Sequence, residues 1–156
     1  MDEMDAQRLV EQYGDMLYRI CAAALRSHAD AQDAVQDVFL KYLTKAPAFG
    51  SEAHRKAWLI TVAVNHCKNV RRNARSIPTD PALLQPGETR REEDGRILAA
   101  LMEVPEKFRI VLVLHYAEGY KVAEIAPMLG LSASAVKMRL AKGRRLLEEI
   151  YRKEYL

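Results

Sequence analysis

The sequence contains few cysteines, glycines and aromatic residues, and it has no long apolar segment. Its 156 residues include two cysteines, seven glycines and one tryptophan. Two distant cysteines, Cys21 and Cys67, are too few for a disulfide framework. A zinc site needs three or four closely spaced ligands, and Cys67 with the neighbouring His66 supplies only two. We therefore expect two buried thiols and no metal. No apolar run reaches the roughly 18 residues that a membrane-spanning helix requires.

The chain also lacks the sequence features of export and of catalysis. Its first residues, MDEMDAQRL, are acidic and contain no apolar signal core, which predicts a cytoplasmic protein. It has no glycine-rich phosphate loop, no pair of acids in an apolar setting and no Ser/His/Asp arrangement. We therefore expect no enzyme, no cofactor and no small-molecule substrate. The enzymatic alternative is a thiol or metal enzyme that uses Cys67, His66 and His54.

Acidic residues are missing from two long stretches, although the net charge of the chain is only +3. Residues 53–79 contain six cations and no acid, and residues 125–147 contain five cations and no acid. By contrast, residues 1–38 contain eight acids and three arginines. Two basic patches indicate two contacts with a polyanion, and the acidic N-terminal region indicates a different, basic partner.

Helical periodicity predicts an all-α fold of two small domains. The first domain, residues 1–76, contains helices over about residues 4–26, 30–45 and 53–75, and Asp30 is predicted to cap the second. Residues 77–96 carry three prolines and mixed charges, which predicts a flexible linker to the second domain, residues 97–156. The residues predicted to face the core are Leu9, Tyr13, Leu17, Ile20 and Ala24; Ala31, Ala34, Val35, Val38, Phe39, Tyr42 and Leu43; Trp58, Leu59, Val62 and Ala63; and Leu98, Leu101, Phe108, Val111, Leu112, Leu114 and Tyr116.

Residues 120–149 have the pattern of a helix-turn-helix. Gly130 can adopt the conformation of a tight turn, Leu131 fills its corner, and Ser132 can cap the next helix. The first helix has an apolar stripe of Val122, Ile125, Ala126 and Leu129, and the second has Val136, Leu140, Gly143 and Leu147. The opposite face of the second helix carries Ser134, Lys137, Met138, Ala141, Lys142 and Arg145. Because a solvated helix usually mixes both signs of charge, this basic face predicts a helix that enters the major groove of DNA.

Two segments together resemble the extracytoplasmic-function group of bacterial sigma factors. One is DAQDAVQDVFLKYLTKAPAF, residues 30–49, followed by AWLITVAVNHCKNVRR, residues 57–72. The other is VPEKFRIVLVLHYAEGYKVAEIAPMLGLSASAVKMRLAKGRRLL, residues 104–147. The first resembles the family pattern of an acidic pair, Val-Gln-acid-x-Phe, Trp-Leu and Ala-x-Asn. The second resembles Leu-Pro-x-x-x-Arg, Glu-Gly-x-x-x-x-Glu-Ile-Ala and Val-Lys-x-Arg-Leu.

The resemblance implies an alternative sigma factor, which binds core RNA polymerase and directs it to specific promoters. The implied partners are the β′ coiled coil and β flap of the polymerase, promoter DNA and an inhibitory anti-sigma factor. Asp33, Gln36 and Asp37 are implied to dock on the basic β′ coiled coil. An acid-amide-acid patch suits that task, because complementary charge steers the encounter and fixes its register.

The resemblance also divides the DNA contacts between the two domains. The N-terminal domain is implied to melt and recognise the downstream (−10) promoter element, through Trp58, Asn65, Lys68, Asn69, Arg71, Arg72 and Arg75. Cations suit the phosphates, and the two asparagines suit an extruded base edge. The helix-turn-helix is implied to recognise the upstream (−35) element, through Ser134, Lys137, Met138, Arg139, Ala141, Lys142 and Arg144.

Several positions depart from the family pattern. Met138 replaces a common small polar residue, so an apolar contact with a thymine methyl group is expected in place of one hydrogen bond to a base edge. Ile60 lies where an aromatic residue is frequent, and Asn69 lies where an aspartate is frequent. Gly143 replaces a usual alanine, at a cost of about 1 kcal/mol of helix stability that the sequence does not explain. The non-enzymatic alternative to a sigma factor is a stand-alone helix-turn-helix regulator that binds DNA without polymerase.

Overall fold

The computed structural model describes residues 3–72 and 92–156, and every regular element within them is helical. The chain divides into two compact units, Met1–Ile77 and Pro78–Leu156. The predicted all-α fold is thus confirmed. Residues 77–91 of the predicted linker lie outside the described residues.

The first unit is built from three helices, α1 (Glu3–Leu25), α2 (His28–Lys45) and α3 (Glu52–Arg72). Between α1 and α2 the chain turns at Arg26, whose φ of 60° lies in the left-handed region. Ser27, rather than the predicted Asp30, caps α2, because its Oγ accepts a hydrogen bond from the Asp30 backbone N–H at 3.2 Å. Asp30 instead lies in the first turn, where its negative charge favours the positive end of the helix.

The core of the first unit comes from all three helices. All five core residues predicted in α1 are buried, and so are both cysteines. In α3, Leu59 and Ala63 are buried as predicted, whereas Trp58 and Val62 are only half-buried. Ile60 is fully buried, so this departure from the family pattern is a core residue. The buried residues of α2 are Ala31, Ala34, Val38 and Tyr42.

The second unit contains α4 (Glu92–Glu103), α5 (Glu106–Leu112), α6 (Val122–Leu129) and α7 (Ala133–Tyr155). Helix α4 begins at Glu92, so the last five residues of the predicted linker are helical. Arg109 is 1% exposed, and its guanidinium donates hydrogen bonds to the carbonyls of Met102 at 3.3 Å and Val104 at 2.6 Å. These bonds satisfy carbonyl groups at the end of α4 and join α4 to α5.

Helix α5 continues into a single π-helical turn, Val113–Ala117. Phe108, Val111, Leu112 and Leu114 are buried as predicted. The prediction for Tyr116 was wrong, because this side chain is 59% exposed. A π turn inserts one residue into the helical repeat, so a periodicity of 3.6 residues assigns the following side chains to the wrong face.

Among the described residues, no helix combines the length and the apolar character that crossing a bilayer requires.

Candidate nucleic-acid and protein interfaces

The turn between α6 and α7 has the geometry of a helix-turn-helix. Gly130 follows α6 with a φ of 66°, in the left-handed region where any L side chain is strained. The Leu131 backbone N–H bonds to the Ala126 carbonyl at 2.9 Å and closes the end of α6. The Ser132 hydroxyl accepts a hydrogen bond from the Ala135 N–H at 3.1 Å and begins α7. The predicted turn is therefore confirmed in its local details.

Helix α7 has one buried stripe and one exposed basic face. Val136, Leu140 and Gly143 are buried. Of the predicted upstream contacts, Arg139 alone is half-buried, at the edge of the face. Met138 is 69% exposed, which is unusual for a large apolar side chain and fits contact with an apolar base edge. The other exposed members of the predicted set are Ser134, Lys137, Ala141, Lys142 and Arg144.

Two cations of this face contact side chains of α5 and of the π turn that continues it. The guanidinium of Arg144 donates a hydrogen bond to the Tyr116 hydroxyl at 2.9 Å. The ammonium nitrogen of Lys142 lies 5.3 Å from the centroid of the Phe108 ring, a cation–π distance. Helical spacing places Tyr116 in the predicted core, so the sequence does not identify this residue as a member of the site.

Gly143 is explained by a close approach of α7 to α5. A Cβ atom at this position would lie 3.2 Å from both Cγ and Cδ1 of Leu112 and 3.4 Å from Cβ of Phe108. Since carbon atoms pack best at about 3.5–4.0 Å, only glycine fits here without a shift of the neighbouring side chains. Gly143 thus lowers the stability of the isolated helix but allows α7 to pack closely against α5.

Helix α3 presents the predicted downstream contacts on its solvent side. Asn65, Lys68 and Asn69 are exposed. Arg71 is also exposed, but its guanidinium donates a hydrogen bond to the Ala24 carbonyl, at 3.2 Å, and so joins α3 to the end of α1. The side chain of Arg72 and the whole of Arg75 lie outside the described residues.

Trp58 lies in an aromatic cluster at the start of α3. Its ring contacts Tyr42 and Phe49 edge to face, at centroid distances of 6.0 and 5.8 Å. The Phe49 ring also contacts His54 at 5.2 Å, and the Arg55 guanidinium lies 5.3 Å from its centroid. Trp58 is half-buried here, and the cluster fixes the connection between α2 and α3. No local pattern in the sequence identifies Phe49 as a neighbour of Trp58.

Asp33, Gln36 and Asp37 lie together on the exposed face of α2, as their spacing of one helical turn requires. The Asp37 carboxylate has one contact to α3, where its Oδ2 lies 3.2 Å from Nε2 of His66. Leu40 and Leu43 continue this face and are 58% and 45% exposed. The predicted core position of Leu43 was therefore wrong, and the exposed face combines acidic, amide and apolar groups.

An apolar groove of about 420 Å³ lies between α4 and the C-terminal half of α7. Ile97, Leu147, Tyr151 and Leu156 line it, and charged side chains of both signs surround it. A groove of this kind suits the apolar side of a helix from a partner protein.

The described residues contain no cluster of three or more His, Cys, Asp or Glu side chains that could hold a metal ion.

One titratable group of the second unit has a strongly perturbed environment. Burial, together with the negative charges of Glu118 and Glu124, raises the pKa of Tyr120 to about 12.

Two family models match the chain, one in each unit. The model described as Sigma-70 region 2 matches residues 9–77, and the model described as Sigma-70, region 4 matches residues 94–147. Both occur in the order that the sequence predicted.

Relatives and solved structures match nearly the whole chain. The ECF RNA polymerase sigma factor SigM of Mycobacterium tuberculosis is 31% identical over 153 residues, which cover 96% of this chain and 78% of that protein. The ECF RNA polymerase sigma factor SigW of Bacillus subtilis is 23% identical, with 90% and 86% covered. The structure of CnrH in complex with the cytosolic domain of CnrY matches with a TM-score of 0.74 at 25% identity, covering 98% of this chain and 91% of CnrH. The sigma factor RpoE of Bartonella quintana, solved with the anti-sigma factor NepR, has a TM-score of 0.79 at 21% identity and covers 96% and 98%, which shows a shared fold.

Proposed function

The chain belongs to the extracytoplasmic-function (ECF) group of bacterial RNA polymerase sigma factors, and from that premise we propose how its residues divide the work of initiation. It is an alternative sigma factor that directs core RNA polymerase to specific promoters. The observation that carries this function is the presence of both sigma regions in one chain, with region 4 ending in a helix-turn-helix whose outer face is basic.

Helix α7 recognises the upstream promoter element. Lys137, Met138 and Lys142 lie on the face that a major groove would meet. Lysine suits a guanine edge or a phosphate, and an exposed methionine suits a thymine methyl group. Arg144 contacts the phosphate backbone of the DNA, because the Tyr116 hydroxyl orients its guanidinium from outside the recognition helix.

Helix α3 acts on the downstream element. Exposed Asn65 and Asn69 can bond to the edges of unpaired bases, and Lys68 can bind the adjacent phosphates. Two residues have structural contacts beside this role. Trp58 packs in the aromatic cluster, and Arg71 joins α3 to α1, so both position the helix as well as contacting DNA.

The exposed face of α2 binds core polymerase. The negative charges of Asp33 and Asp37 complement a basic coiled coil of β′, while the adjacent Leu40 and Leu43 provide apolar area for the same partner. We assign the β flap to the apolar groove of the second unit, whose dimensions and lining suit the apolar side of a helix.

Control of the protein comes from an inhibitory anti-sigma partner. A sigma factor with this fold has been solved bound to one, and a further similar protein has been solved bound to a cytosolic domain. The chain acts as an initiation factor rather than an enzyme, and it works in the cytoplasm together with the polymerase and the chromosome.

The test is co-purification of the full-length chain with core RNA polymerase, followed by run-off transcription from genomic fragments that the complex selects. We expect a stable complex and transcripts that core enzyme alone does not make. A stand-alone regulator would instead bind duplex DNA without core enzyme and would not support run-off transcription. That result would overturn the proposed function.

A further inference from the structure

Two lysines from different helices converge on one aromatic ring in the second unit. The ammonium nitrogen of Lys107, on α5, lies 5.0 Å from the centroid of the Phe108 ring, and that of Lys142, on α7, lies 5.3 Å from the same centroid. The ring itself is 7% exposed, whereas both lysines are exposed. Because both nitrogens lie about 5 Å from the same centroid, the two charges are at most about 10 Å apart at the surface, against one buried residue.

The close approach of the two helices creates this arrangement. Gly143 is the residue after Lys142, and the Cβ atom that it lacks would meet Leu112 and Phe108 of α5. Because no side chain separates α7 from α5 here, the Phe108 ring reaches Lys142 as well as its own neighbour Lys107. A residue outside the helix-turn-helix is thus brought to the basic face of α7.

No carboxylate of the described part of the unit neutralises the charge of this pair. Among the described residues 92–156, neither Lys107 nor Lys142 forms an ion pair with a carboxylate. The negative face of the Phe108 ring attracts each ammonium, but a cation–π contact at an exposed site contributes only about 0.5–1 kcal/mol. An anion that contacts both ammonium groups would lower the repulsion between these two like charges.

We propose that Lys107 is a DNA contact, and that Lys107 and Lys142 together bind one phosphodiester group of the duplex beside the upstream element. The proposal rests on the proposed function and extends the DNA footprint from α7 to α5. The contact is to phosphate rather than to a base, because Lys107 lies outside the recognition helix. Elements that flank such a helix contact the DNA backbone and so fix its register.

The test measures how binding depends on salt. The full-length chain in complex with core polymerase is the protein, and the probe is a promoter duplex that the wild-type complex has enriched from a library randomised at the upstream positions. The variants are Lys107→Gln, Lys142→Gln and the double variant. Lys153→Gln is the matched control, because it removes the same charge from an exposed site at the far end of α7. Lys107→Arg tests whether the cation alone is sufficient.

Because each single variant keeps one lysine on the shared phosphate, Lys107→Gln and Lys142→Gln should each lower the slope of log affinity against log salt by clearly less than about 0.9, the value for one phosphate of B-DNA. The double variant loses both cations and should lower the slope by about 0.9. Between 50 and 200 mM salt the wild type then loses about 3.5-fold more affinity than the double variant. Base preference across the upstream positions should not change in Lys107→Gln, and Lys107→Arg and Lys153→Gln should keep the wild-type slope.

The proposal is overturned if the double variant has the same slope as Lys142→Gln, since Lys107 would then contribute nothing to phosphate binding, or if the double variant loses about two phosphates. It is equally overturned if Lys107→Gln lowers affinity for core polymerase and the double variant keeps the wild-type salt slope, since that result would make Lys107 a protein contact. Failure of the proposed function is a distinct outcome. In that case the wild-type complex enriches no duplex at all.

Discussion

Replacing Gly143 by alanine tests whether the approach of α7 to α5 determines the residue at this position. In an isolated helix the change is favourable, because alanine exceeds glycine in helix propensity by about 1 kcal/mol. In the folded unit the added Cβ would lie 3.2 Å from two carbon atoms of Leu112 and 3.4 Å from Cβ of Phe108. Both neighbours are buried, so neither side chain can rotate into solvent to make room.

The magnitude follows from these two opposing contributions. Overpacking of a buried contact costs about 1–3 kcal/mol. With a cost near the middle of that range and a gain of about 1 kcal/mol from propensity, Gly143→Ala should lower the free energy of unfolding of the second unit by about 1 kcal/mol. Removing the Leu112 side chain removes the closest atoms. In a Leu112→Ala background the same substitution should therefore stabilise the unit by about 1 kcal/mol, which gives a coupling of about 2 kcal/mol.

The assay is denaturant unfolding of the full-length chain, with hydrogen exchange of the α5 and α7 amides to follow the second unit. Fluorescence of Trp58, the only tryptophan of the chain, reports on the first unit and should keep its midpoint in every variant. If Gly143→Ala changes stability equally in both backgrounds, within about 0.5 kcal/mol, the steric explanation is refuted. The glycine would then have to be explained by something other than Leu112.

Three further predictions concern single side chains. Tyr116→Phe removes only the hydroxyl that orients Arg144, so affinity for the upstream duplex should fall about two- to fivefold. When Arg144→Ala is already present, the same change should cause no further loss of affinity, and an equal loss in both backgrounds would contradict the positioning role. Asp37→Lys should weaken binding to core polymerase by at least about tenfold and change the free energy of unfolding by less than about 1 kcal/mol, whereas Asp15→Lys, an exposed acid on α1, should leave core binding intact. The raised pKa of Tyr120, about 12, means that the folded state retains this proton to a higher pH than the unfolded chain. Its contribution to stability is complete below about pH 10 and is lost as the pH rises towards 12, so Tyr120→Phe should reduce the alkaline loss of stability, and an unchanged alkaline denaturation curve would refute the assignment.

The features that the sequence predicted well are those that depend on neighbours within one or two helical turns. The turn at Gly130, the cap at Ser132 and the outward direction of Lys137 follow from local conformational preference and from periodicity. The error at Asp30 has the same local origin. Two residues suited to capping lie three positions apart, and Ser27 takes the cap because the helix begins earlier than the apolar pattern indicates.

The features that the sequence could not predict depend on contacts between distant segments. Nothing near Tyr116 signals a π turn, yet that turn moves its hydroxyl from the predicted core to Arg144. The role of Gly143 depends on Leu112, and the contact between Asp37 and His66 depends on the packing of α2 on α3. In each case the partner is distant in sequence, and no local pattern identifies it.

The pattern of charges along α7 changes after Leu147. From its first turn to Leu147 the helix has no acid, and so it lacks the favourable i,i+4 ion pairs that an exposed helix can form. Immediately afterwards such pairs return, and Glu148 contacts Arg152 at 2.9 Å. Each exposed pair contributes only about 0.3–0.5 kcal/mol, so the first part of α7 loses little by omitting them. It gains an unneutralised row of cations, since an acid at any of these positions would neutralise a lysine or arginine and repel the phosphates. Under the proposed function, the change in charge pattern after Leu147 marks the end of the part of the helix that contacts DNA. Leu147 and residues of the following turns line the apolar groove against α4.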